Sequence, residues 1–274
     1  MDERIPAVLS IAGSDSGGGA GIQADLKAFA RCGVHGMTAI TALTAQNTVA
    51  VTDVHSVPPE MIYAQVRAVA EDIGVDAVKI GMLGTAETVC AVRDALELLA
   101  PGTPVVLDPV MVSESGAVLL DDDARQAIVD ELLPLATVIT PNLPEARVLT
   151  GDGDADGEEL ARKLHALGPR TVVVTGGHRQ EATDVFFDGD AVHLIPGERH
   201  ADGAAHGSGC THSSALAANL ALGATPLEAA TAARAIAGEA VRDGLRGVGR
   251  GPGPVNALGV RAPAHAARAA RRVT

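Results

Sequence analysis

The chain of 274 residues has very few aromatic side chains, with 3 Phe, 1 Tyr and no Trp. Its core must therefore be filled by aliphatic residues, and a chain that is 47% hydrophobic supplies enough of them. Buried parallel strands covered by alanine-rich helices suit this composition. One large core is expected at this length, so residues 1–274 are interpreted as a single α/β domain.

Positive charge is also scarce in this chain. There are 21 Lys and Arg residues against 34 Asp and Glu residues, which gives a formal net charge of −13 at pH 7. Binding to nucleic acid depends on clustered basic side chains, so no nucleic-acid partner is expected. Arginines gather only near the carboxyl end, where residues 261–274 are interpreted as a frayed basic tail.

The three cysteines, Cys32, Cys90 and Cys210, are widely spaced and form no Cys-x-x-Cys pair. Such a set suggests neither a disulfide framework nor a zinc site, and it fits a reducing compartment. No run of 18 apolar residues occurs, and the amino terminus lacks the pattern of a signal peptide. The sequence therefore predicts a cytoplasmic protein with no membrane partner.

Short apolar segments alternate with longer amphipathic segments, a pattern typical of βαβ units and a mostly parallel sheet. The segments predicted to form parallel strands are 7–13, 37–45, 76–81, 104–108, 136–140 and 171–175. The predicted helices cover 22–32, 59–73, 86–100, 121–133, 157–168, 210–222 and 226–243. Residues 184–189 and 191–197 are predicted to form an antiparallel pair with a turn at Asp188.

Glycine-rich or polar segments follow each of the predicted parallel strands. They read GSDSGGGAG, QNT, GMLG, DPVM, PNLPE and GGH in chain order. Because ligands bind at the carboxyl ends of strands in open parallel sheets, these segments should converge on one edge. That edge is the candidate site, although no phosphate loop of the GxxxxGK[ST] type is present.

Two acidic positions stand at this edge. Asn142 and Glu145 lie three residues apart at a predicted helix start, where both side chains share one face and could hold a hydrated Mg²⁺. The same pair could instead form a capping box, and the residues alone leave both possibilities open. Asp108 ends a predicted strand directly before Pro109, either as a second acid of the site or as a turn former.

The segment GSGCT places Cys210 behind Gly207, Ser208 and Gly209 at a helix amino terminus. Uncovered backbone N–H groups and the helix dipole favour an anion at such a position. The same field is expected to make the thiol of Cys210 more acidic than a free thiol, so that it could act as a base, a nucleophile or a ligand contact. The alternative is a small buried apolar side chain, which is the interpretation of Cys32 and Cys90.

Taken together, these segments resemble the hydroxymethylpyrimidine/phosphomethylpyrimidine kinase family, a thiamin-biosynthesis branch of the ribokinase-like kinases. The resemblance is carried by IAGSDSGGGAGIQADLKAF, TALTAQNT, VKIGML, VVLDPVMVSESGAVLL, ITPNLPEA, VVVTGGH, HGSGCTHSSALAA and GRGPGPVN. It implies a three-layer α/β/α fold with a central, mostly parallel sheet, and a homodimer. The implied activity is phosphoryl transfer from ATP to 4-amino-5-hydroxymethyl-2-methylpyrimidine and then to its monophosphate.

The resemblance also implies roles for single residues. Gln46 matches the family glutamine that pairs with the aminopyrimidine ring, and one amide offers the acceptor and the donor which such a ring requires. The other positions implied to line the substrate pocket are Gly13, Asp25, Met82 and Val110. The positions implied to bind the nucleotide are Asp108, Asn142, Thr175 and Gly177. The residues implied to organise Mg²⁺ are Asp108, Asn142 and Glu145. The transferring phosphoryl group would be surrounded by Gly207, Gly209 and Cys210.

The sequence departs from the family pattern at several positions. Glu114 replaces a common lysine, Ala237 stands where relatives carry a lysine beside the nucleotide, and Ala257 stands where a histidine is usual. Ala204 and Ala205 replace an Asn-Thr pair. These changes bear on ATP affinity and on the second phosphorylation. They leave two alternatives open: a pyridoxine or pyridoxal kinase of the same fold, and a pyrimidine-binding paralogue with impaired catalysis.

Overall fold

The computed structural model describes residues 4–113, 116–117, 119–176, 182–200 and 203–261. The strands are β1 (Ala7–Asp15), β2 (His35–Gln46), β3 (Val51–Ser56), β4 (Ala77–Ile80), β5 (Val105–Leu107), β6 (Val138–Ile139), β7 (Thr171–Val174), β8 (Asp184–Phe187) and β9 (Val192–Ile195). The α-helices are α1 (Gly21–Cys32), α2 (Pro59–Asp72), α3 (Ala86–Leu96), α4 (Asp122–Ala127), α5 (Leu143–Thr150), α6 (Gly157–His165), α7 (Ser208–Ala221) and α8 (Pro226–Arg242).

These strands form one sheet in the order β3-β2-β1-β4-β5-β6-β7-β8-β9. Strands β2, β1, β4, β5, β6 and β7 pair in parallel with one another, whereas β3 pairs antiparallel with β2, β8 with β7, and β9 with β8. The predicted mostly parallel sheet and the predicted β8–β9 pair are therefore confirmed. The turn between β8 and β9 is closed by Asp188, whose carboxylate accepts the N–H groups of Asp190 and Ala191.

Strand β3 is the element that the sequence pattern failed to predict. It reads VTDVHS, and its residues after Val51 are exposed. An edge strand without a buried face shows little of the apolar run or strict alternation that marks a strand in sequence. Its partner β2 is longer than predicted at both ends, because His35 and Gly36 pair with β1 and Gln46 pairs with β3.

Helices cover both faces of the sheet. Alternate strand residues point to opposite sides, so that Leu9 and Leu107 belong to one buried cluster while Val8 and Val106 belong to the other. The first cluster includes residues of α2 to α6, and the second includes residues of α1, α7 and α8. This confirms the expected three-layer α/β/α architecture.

Several helix boundaries differ from the prediction. Helix α3 ends at Leu96 rather than near residue 100, and α4 gives way to a π-helical turn at Ile128–Leu132 and a 3₁₀ turn at Leu133–Leu135. Across the described residues, no helix combines the length and the apolar character that crossing a membrane requires. Residues 262–274 of the predicted basic tail lie outside the described ranges.

Candidate active site

A cavity of about 450 Å³ is lined by residues that follow the parallel strands and by the start of α7. The strand-end segments therefore meet at one edge, as the topology of a parallel sheet requires. The predicted site residues that line this cavity are Gly13, Gln46, Met82, Asp108, Val110, Asn142, Glu145, Thr175, Gly207, Gly209 and Cys210. Asp25 does not line it, and Gly177 lies outside the described residues.

The glycine-rich loop after β1 is organised by Asp15. Its carboxylate accepts N–H groups from Gly17 at 2.7 Å, Gly19 at 3.0 Å and Ala20 at 2.9 Å, and it lies 3.1 Å from Nε2 of His206. Burial by itself would raise the pKa of Asp15, but the bonds from His206 and the loop amides hold that pKa below its ordinary value. The ionised carboxylate of Asp15 therefore connects two loops of the site by hydrogen bonds.

Glycines allow these two loops to touch. Gly207 has a φ of +84°, and a Cβ there would lie only 1.8 Å from the carbonyl oxygen of Gly19. A Cβ at Gly19 would lie 2.1 Å from Cδ2 of His206. Any larger residue at Gly19 or Gly207 would push the loop after β1 away from the start of α7.

Gln46 ends β2 beside the glycine-rich loop. The hydroxyl of Ser16 donates to the Gln46 carbonyl oxygen at 2.7 Å and accepts the Gln46 N–H at 2.9 Å. Oγ1 of Thr44 lies 3.2 Å from Oε1 of the Gln46 side chain. The amide is thereby fixed at the cavity wall, where Met82 and Val110 supply apolar surface.

Asp25 lies behind the cavity wall. Its fully buried carboxylate accepts hydrogen bonds from Ser10 at 2.5 Å, Ser214 at 2.7 Å and Nζ of Lys79 at 3.0 Å. The buried face of α1 turns Asp25 toward the sheet and α7, where the carboxylate meets these partners. Its position as a substrate contact stays a prediction, and the structure gives it a supporting place behind Lys79.

Lys79 is a fully buried cation that lines the cavity from β4. Its Nζ lies 4.0 Å from Oδ2 of Asp108, which also accepts a hydrogen bond from Ser213 at 2.9 Å. Burial alone would lower the pKa of Lys79, but the charges of Asp25 and Asp108 raise it, so the ammonium stays charged. The sequence contained a signal that its analysis missed, because a lysine inside a fully buried strand requires buried acids nearby.

Asn142 and Glu145 form the capping box of α5. Oδ1 of Asn142 accepts the N–H of Glu145 at 2.9 Å, and Oε2 of Glu145 accepts the N–H of Asn142 at 2.9 Å. The structural alternative for this pair is therefore confirmed. Both side chains nevertheless line the cavity, so a role in the cap does not remove them from the site.

The carboxyl groups of Glu145 and Asp108 both have raised pKa values. Burial, together with the charge of Asp108, raises the pKa of Glu145 to about 8. Burial also raises the pKa of Asp108, although Lys79 and Ser213 oppose that shift. A nearby cation would favour the ionised form of both carboxyl groups. Their oxygen atoms suit Mg²⁺, which protein sites commonly bind through one or two carboxylates plus phosphates and water. Within the described residues, no group of three His, Cys, Asp or Glu side chains could hold a metal alone.

Helix α7 begins at Ser208, and its N-cap residue Gly207 offers no capping side chain. The first N–H groups of such a helix have no acceptor within it, which makes them donors for an anion. The expectation that Cys210 is unusually acidic is wrong. Burial, with the charges of Asp25 and Asp108, raises the pKa of its thiol to about 12, and the opposing charge of Lys79 does not offset this. The thiol is therefore neutral at pH 7.

Three further polar residues that sequence reasoning missed lie beside Thr175. Asp184 accepts the N–H of Gly176 at 2.7 Å, and its carboxylate lies 3.2 Å from Nε2 of His212 and 3.7 Å from a guanidinium nitrogen of Arg234. His212 and Arg234 line the cavity. Arg234 is one helical turn before Ala237, so a cation is present near the position where the family pattern led us to expect one.

Two other departures from the family pattern, Ala257 and Ala204, lie at buried positions. Ala257 is buried against Ala240 and Val255, and Ala204 is buried against Gly244, where a Cβ would lie 2.6 Å from the Ala204 Cβ. A histidine at position 257 would have to displace this packing. Glu114 lies outside the described residues.

Comparison with known proteins places the chain in a family. The phosphomethylpyrimidine kinase family model matches residues 15–256. A hydroxymethylpyrimidine/phosphomethylpyrimidine kinase of Rhizobium meliloti is 51% identical over 255 residues, which cover 90% of this chain and 95% of the relative. A thiamine biosynthesis bifunctional protein of Geobacter sulfurreducens is 47% identical over 91% of this chain and 52% of its own length. The structure of the pyridoxal kinase from Staphylococcus aureus in complex with ADP superimposes with a TM-score of 0.84 at 34% identity, covering 93% of this chain and 94% of the kinase.

Proposed function

The chain belongs to the phosphomethylpyrimidine kinase family, and we propose that it phosphorylates 4-amino-5-hydroxymethyl-2-methylpyrimidine and then its monophosphate with ATP, in thiamin biosynthesis. The observation that carries this proposal is the shared cavity, which is lined by Gln46, by the uncapped start of α7 and by Asp108. A pyrimidine alcohol and an ATP phosphate can both find matching groups there. The reaction needs such a shared site because the alcohol oxygen must meet the γ-phosphate.

Gln46 reads the aminopyrimidine ring in this proposal. Its amide can donate to a ring nitrogen while it accepts from the adjacent amino group. Gly13, Met82 and Val110 form the walls for the ring, and a Cβ at Gly13 would lie 3.1 Å from Sδ of Met82, which would narrow the slot. Asp25 supports the cavity wall indirectly through Lys79 and Ser214.

The start of α7 receives the transferring phosphoryl group. Phosphoryl transfer proceeds largely by positioning and charge stabilisation, so amide N–H groups near Gly207 and Gly209 and the buried ammonium of Lys79 are suited to it. Cys210 adjoins these groups as a neutral thiol, which can donate a weak hydrogen bond but cannot remove a proton as a thiolate. We therefore assign the glycines and Lys79 a larger share of the rate than Cys210.

Asp108, Glu145 and Asn142 would hold Mg²⁺ together with phosphate oxygens of the nucleotide. The bound ion would neutralise phosphate charge during transfer. Thr175 borders the nucleotide, and Arg234 supplies the cation that Ala237 cannot. Chelation of divalent cations is expected to stop ADP formation and to leave the fold intact, as checked by circular dichroism. Unchanged ADP formation in excess chelator would contradict the metal assignment.

The similarity to a pyridoxal kinase makes phosphorylation of pyridoxine the second candidate activity. Initial rates of ADP formation with the hydroxymethylpyrimidine and with pyridoxine, at equal concentrations, compare the two directly. We expect the pyrimidine to react faster because Gln46 offers paired donor and acceptor groups to an aminopyrimidine. Faster pyridoxine turnover would favour the pyridoxine kinase alternative. Binding of the pyrimidine without any ADP formation would favour the catalytically impaired paralogue.

We also propose a cytoplasmic homodimer. Strand β3 lies at the sheet edge, and Leu43 on β2 and Val54 on β3, which point to opposite faces of this edge, are 47% and 43% exposed. An exposed edge with apolar side chains is a surface that a second copy could cover. Replacement of Leu43 and Val54 by glutamate should shift the dimer to monomer in sedimentation analysis, whereas an unchanged sedimentation coefficient would place the interface elsewhere. The three free cysteines fit a reducing compartment.

A further inference from the structure

The buried pair formed by Asp15 and His206 has no place in the chemistry assigned above. Asp15 is 3% exposed and His206 is 8% exposed, yet both line the cavity. An ionised carboxylate can only accept hydrogen bonds, so the 3.1 Å contact requires that His206 Nε2 carries the proton. The pair is therefore a directed, buried hydrogen bond between two segments that are 191 residues apart in the chain.

Each partner is tied into a loop of the site. Asp15 gathers the N–H groups of Gly17, Gly19 and Ala20, so its position sets the shape of the glycine-rich loop. The next residue, Ser16, holds the main chain of Gln46 through two hydrogen bonds. A short run of bonds therefore connects Asp15 to the residue that reads the pyrimidine.

His206 is tied to the opposite part of the site. It directly precedes Gly207, the first residue of the proposed phosphoryl-binding turn. Its carbonyl oxygen accepts the N–H of Val255 at 3.0 Å, and its ring covers Gly19 so closely that a Cβ there would overlap it. Displacement of the ring would therefore move the start of α7 relative to the glycine-rich loop.

We propose that Asp15 and His206 form a positioning pair, which sets the amino terminus of α7 against the glycine-rich loop so that the pyrimidine alcohol and the γ-phosphate meet in reactive geometry. This inference rests on the proposed function. Neither residue transfers a proton or touches the phosphoryl group in this role. Their effect falls on the rate of transfer rather than on the affinity for either substrate, because each binding half keeps its own contacts.

The test uses Asp15→Asn, His206→Leu, the double variant, and His206→Gln, whose side-chain amide can still present an N–H to Asp15. For each protein, kcat, the KM for pyrimidine, the KM for ATP and the melting temperature are measured. We expect each disruptive single variant to lose about 10²-fold in kcat, as a misplacement of about 1 Å can cause, while both KM values change by about threefold or less. The double variant should fall within about threefold of the worse single variant, because the two residues act as one unit. His206→Gln should recover most of kcat.

Asp152→Asn is the matched control. Asp152 also accepts two loop N–H groups, from Asp154 and Ala155, but it does not line the cavity. This control should keep the full kcat. If Asp15→Asn does not fold, the comparison of His206→Leu with His206→Gln decides the matter.

Multiplying losses in the double variant, an unchanged kcat in the singles, a loss confined to KM, or equal kcat for His206→Leu and His206→Gln would overturn the positioning role. A wild-type protein that forms no phosphorylated pyrimidine would instead overturn the proposed function itself, so the two failures are distinguishable.

Discussion

The two halves of the cavity differ in the chemistry of the side chains that line them. The half that we propose to bind the pyrimidine, here called the pyrimidine half and defined by Gly13, Gln46, Met82 and Val110, has one amide on largely apolar walls. The half that we propose to bind phosphate, here called the phosphate half and defined by Lys79, Asp108, Glu145 and Cys210, consists of buried and half-buried ionisable groups that shift the pKa values of one another. In the first half each side chain acts mainly by its own shape and hydrogen bonds. In the second half no group can be changed without altering its neighbours.

The largest effect on the free energy of unfolding should follow from removal of the buried cation Lys79 from the phosphate half. Lys79→Met leaves Asp25 and Asp108 buried without their counter-charge, which should lower the free energy of unfolding by about 3–5 kcal/mol. Urea denaturation measures this change. The control is Lys163→Met, which removes an exposed lysine paired with Asp152 and Glu159 and should cost about 1 kcal/mol or less. Equal losses for the two variants would contradict the electrostatic description of the phosphate half.

A smaller effect, confined to substrate binding, should follow from a change in the pyrimidine half. Gln46→Leu leaves the polar atoms of the ring unpaired, which should weaken binding by about 1–3 kcal/mol and raise the KM for pyrimidine accordingly. The KM for ATP should stay near its original value. Steady-state kinetics with each substrate varied in turn measures both, and an unchanged pyrimidine KM would place the ring elsewhere.

Cys210 tests how far its neighbours control a group in the phosphate half. Because the pKa of the thiol is raised to about 12, Cys210→Ala should slow the chemical step by about tenfold or less and should spare the binding of both substrates. Alkylation of Cys210 by iodoacetamide should be slower at pH 7.5 than that of a free thiol and should accelerate as pH rises, as followed by mass spectrometry. Full activity of the alanine variant would remove Cys210 from the mechanism, and rapid alkylation at neutral pH would contradict the raised pKa.

A small effect on the free energy of unfolding concerns Asp15, which lies between the halves. Its folded-state pKa is below the unfolded value of about 3.9, so it stabilises the fold above that pH and loses this contribution as pH falls through the folded-state pKa. Asp15→Asn should therefore cost about 1 kcal/mol at pH 7 and progressively less below pH 4. Urea denaturation of both proteins across this range measures the difference, and a gap that widens on acidification would show that the sign is wrong.

The positions of the site residues could be anticipated from the sequence far better than their protonation states and hydrogen-bond partners. Gln46, Met82 and Val110 follow strand ends, and a parallel sheet brings strand ends together whatever the details of packing. The state of Cys210 could not be anticipated, because its pKa is raised by burial and by the charges of Asp25 and Asp108, and Asp25 reaches it only through the packing of α1 against α7. The pairing of Asp15 with His206 escaped for the same reason, since no periodicity connects residues 191 positions apart.

The fold shows the same division. Buried parallel strands and amphipathic helices have strong sequence periodicity, which predicts most of their boundaries to within about two residues, although α3 and α4 end earlier. Strand β3 has no buried face, so its pairing with β2 depends on backbone hydrogen bonds that leave no mark on residue type. The early end of α3 at Leu96 likewise depends on where the chain turns toward β5.

A product-resolved assay of the wild-type protein with ATP, Mg²⁺ and 4-amino-5-hydroxymethyl-2-methylpyrimidine tests the central claim most directly. Chromatography separates the monophosphate from the diphosphate at each time point. If the cavity joins a pyrimidine site to a phosphoryl-transfer site, the monophosphate should appear first and then decline as the diphosphate accumulates. Absence of both products, from folded protein that still binds ATP, would contradict the claim.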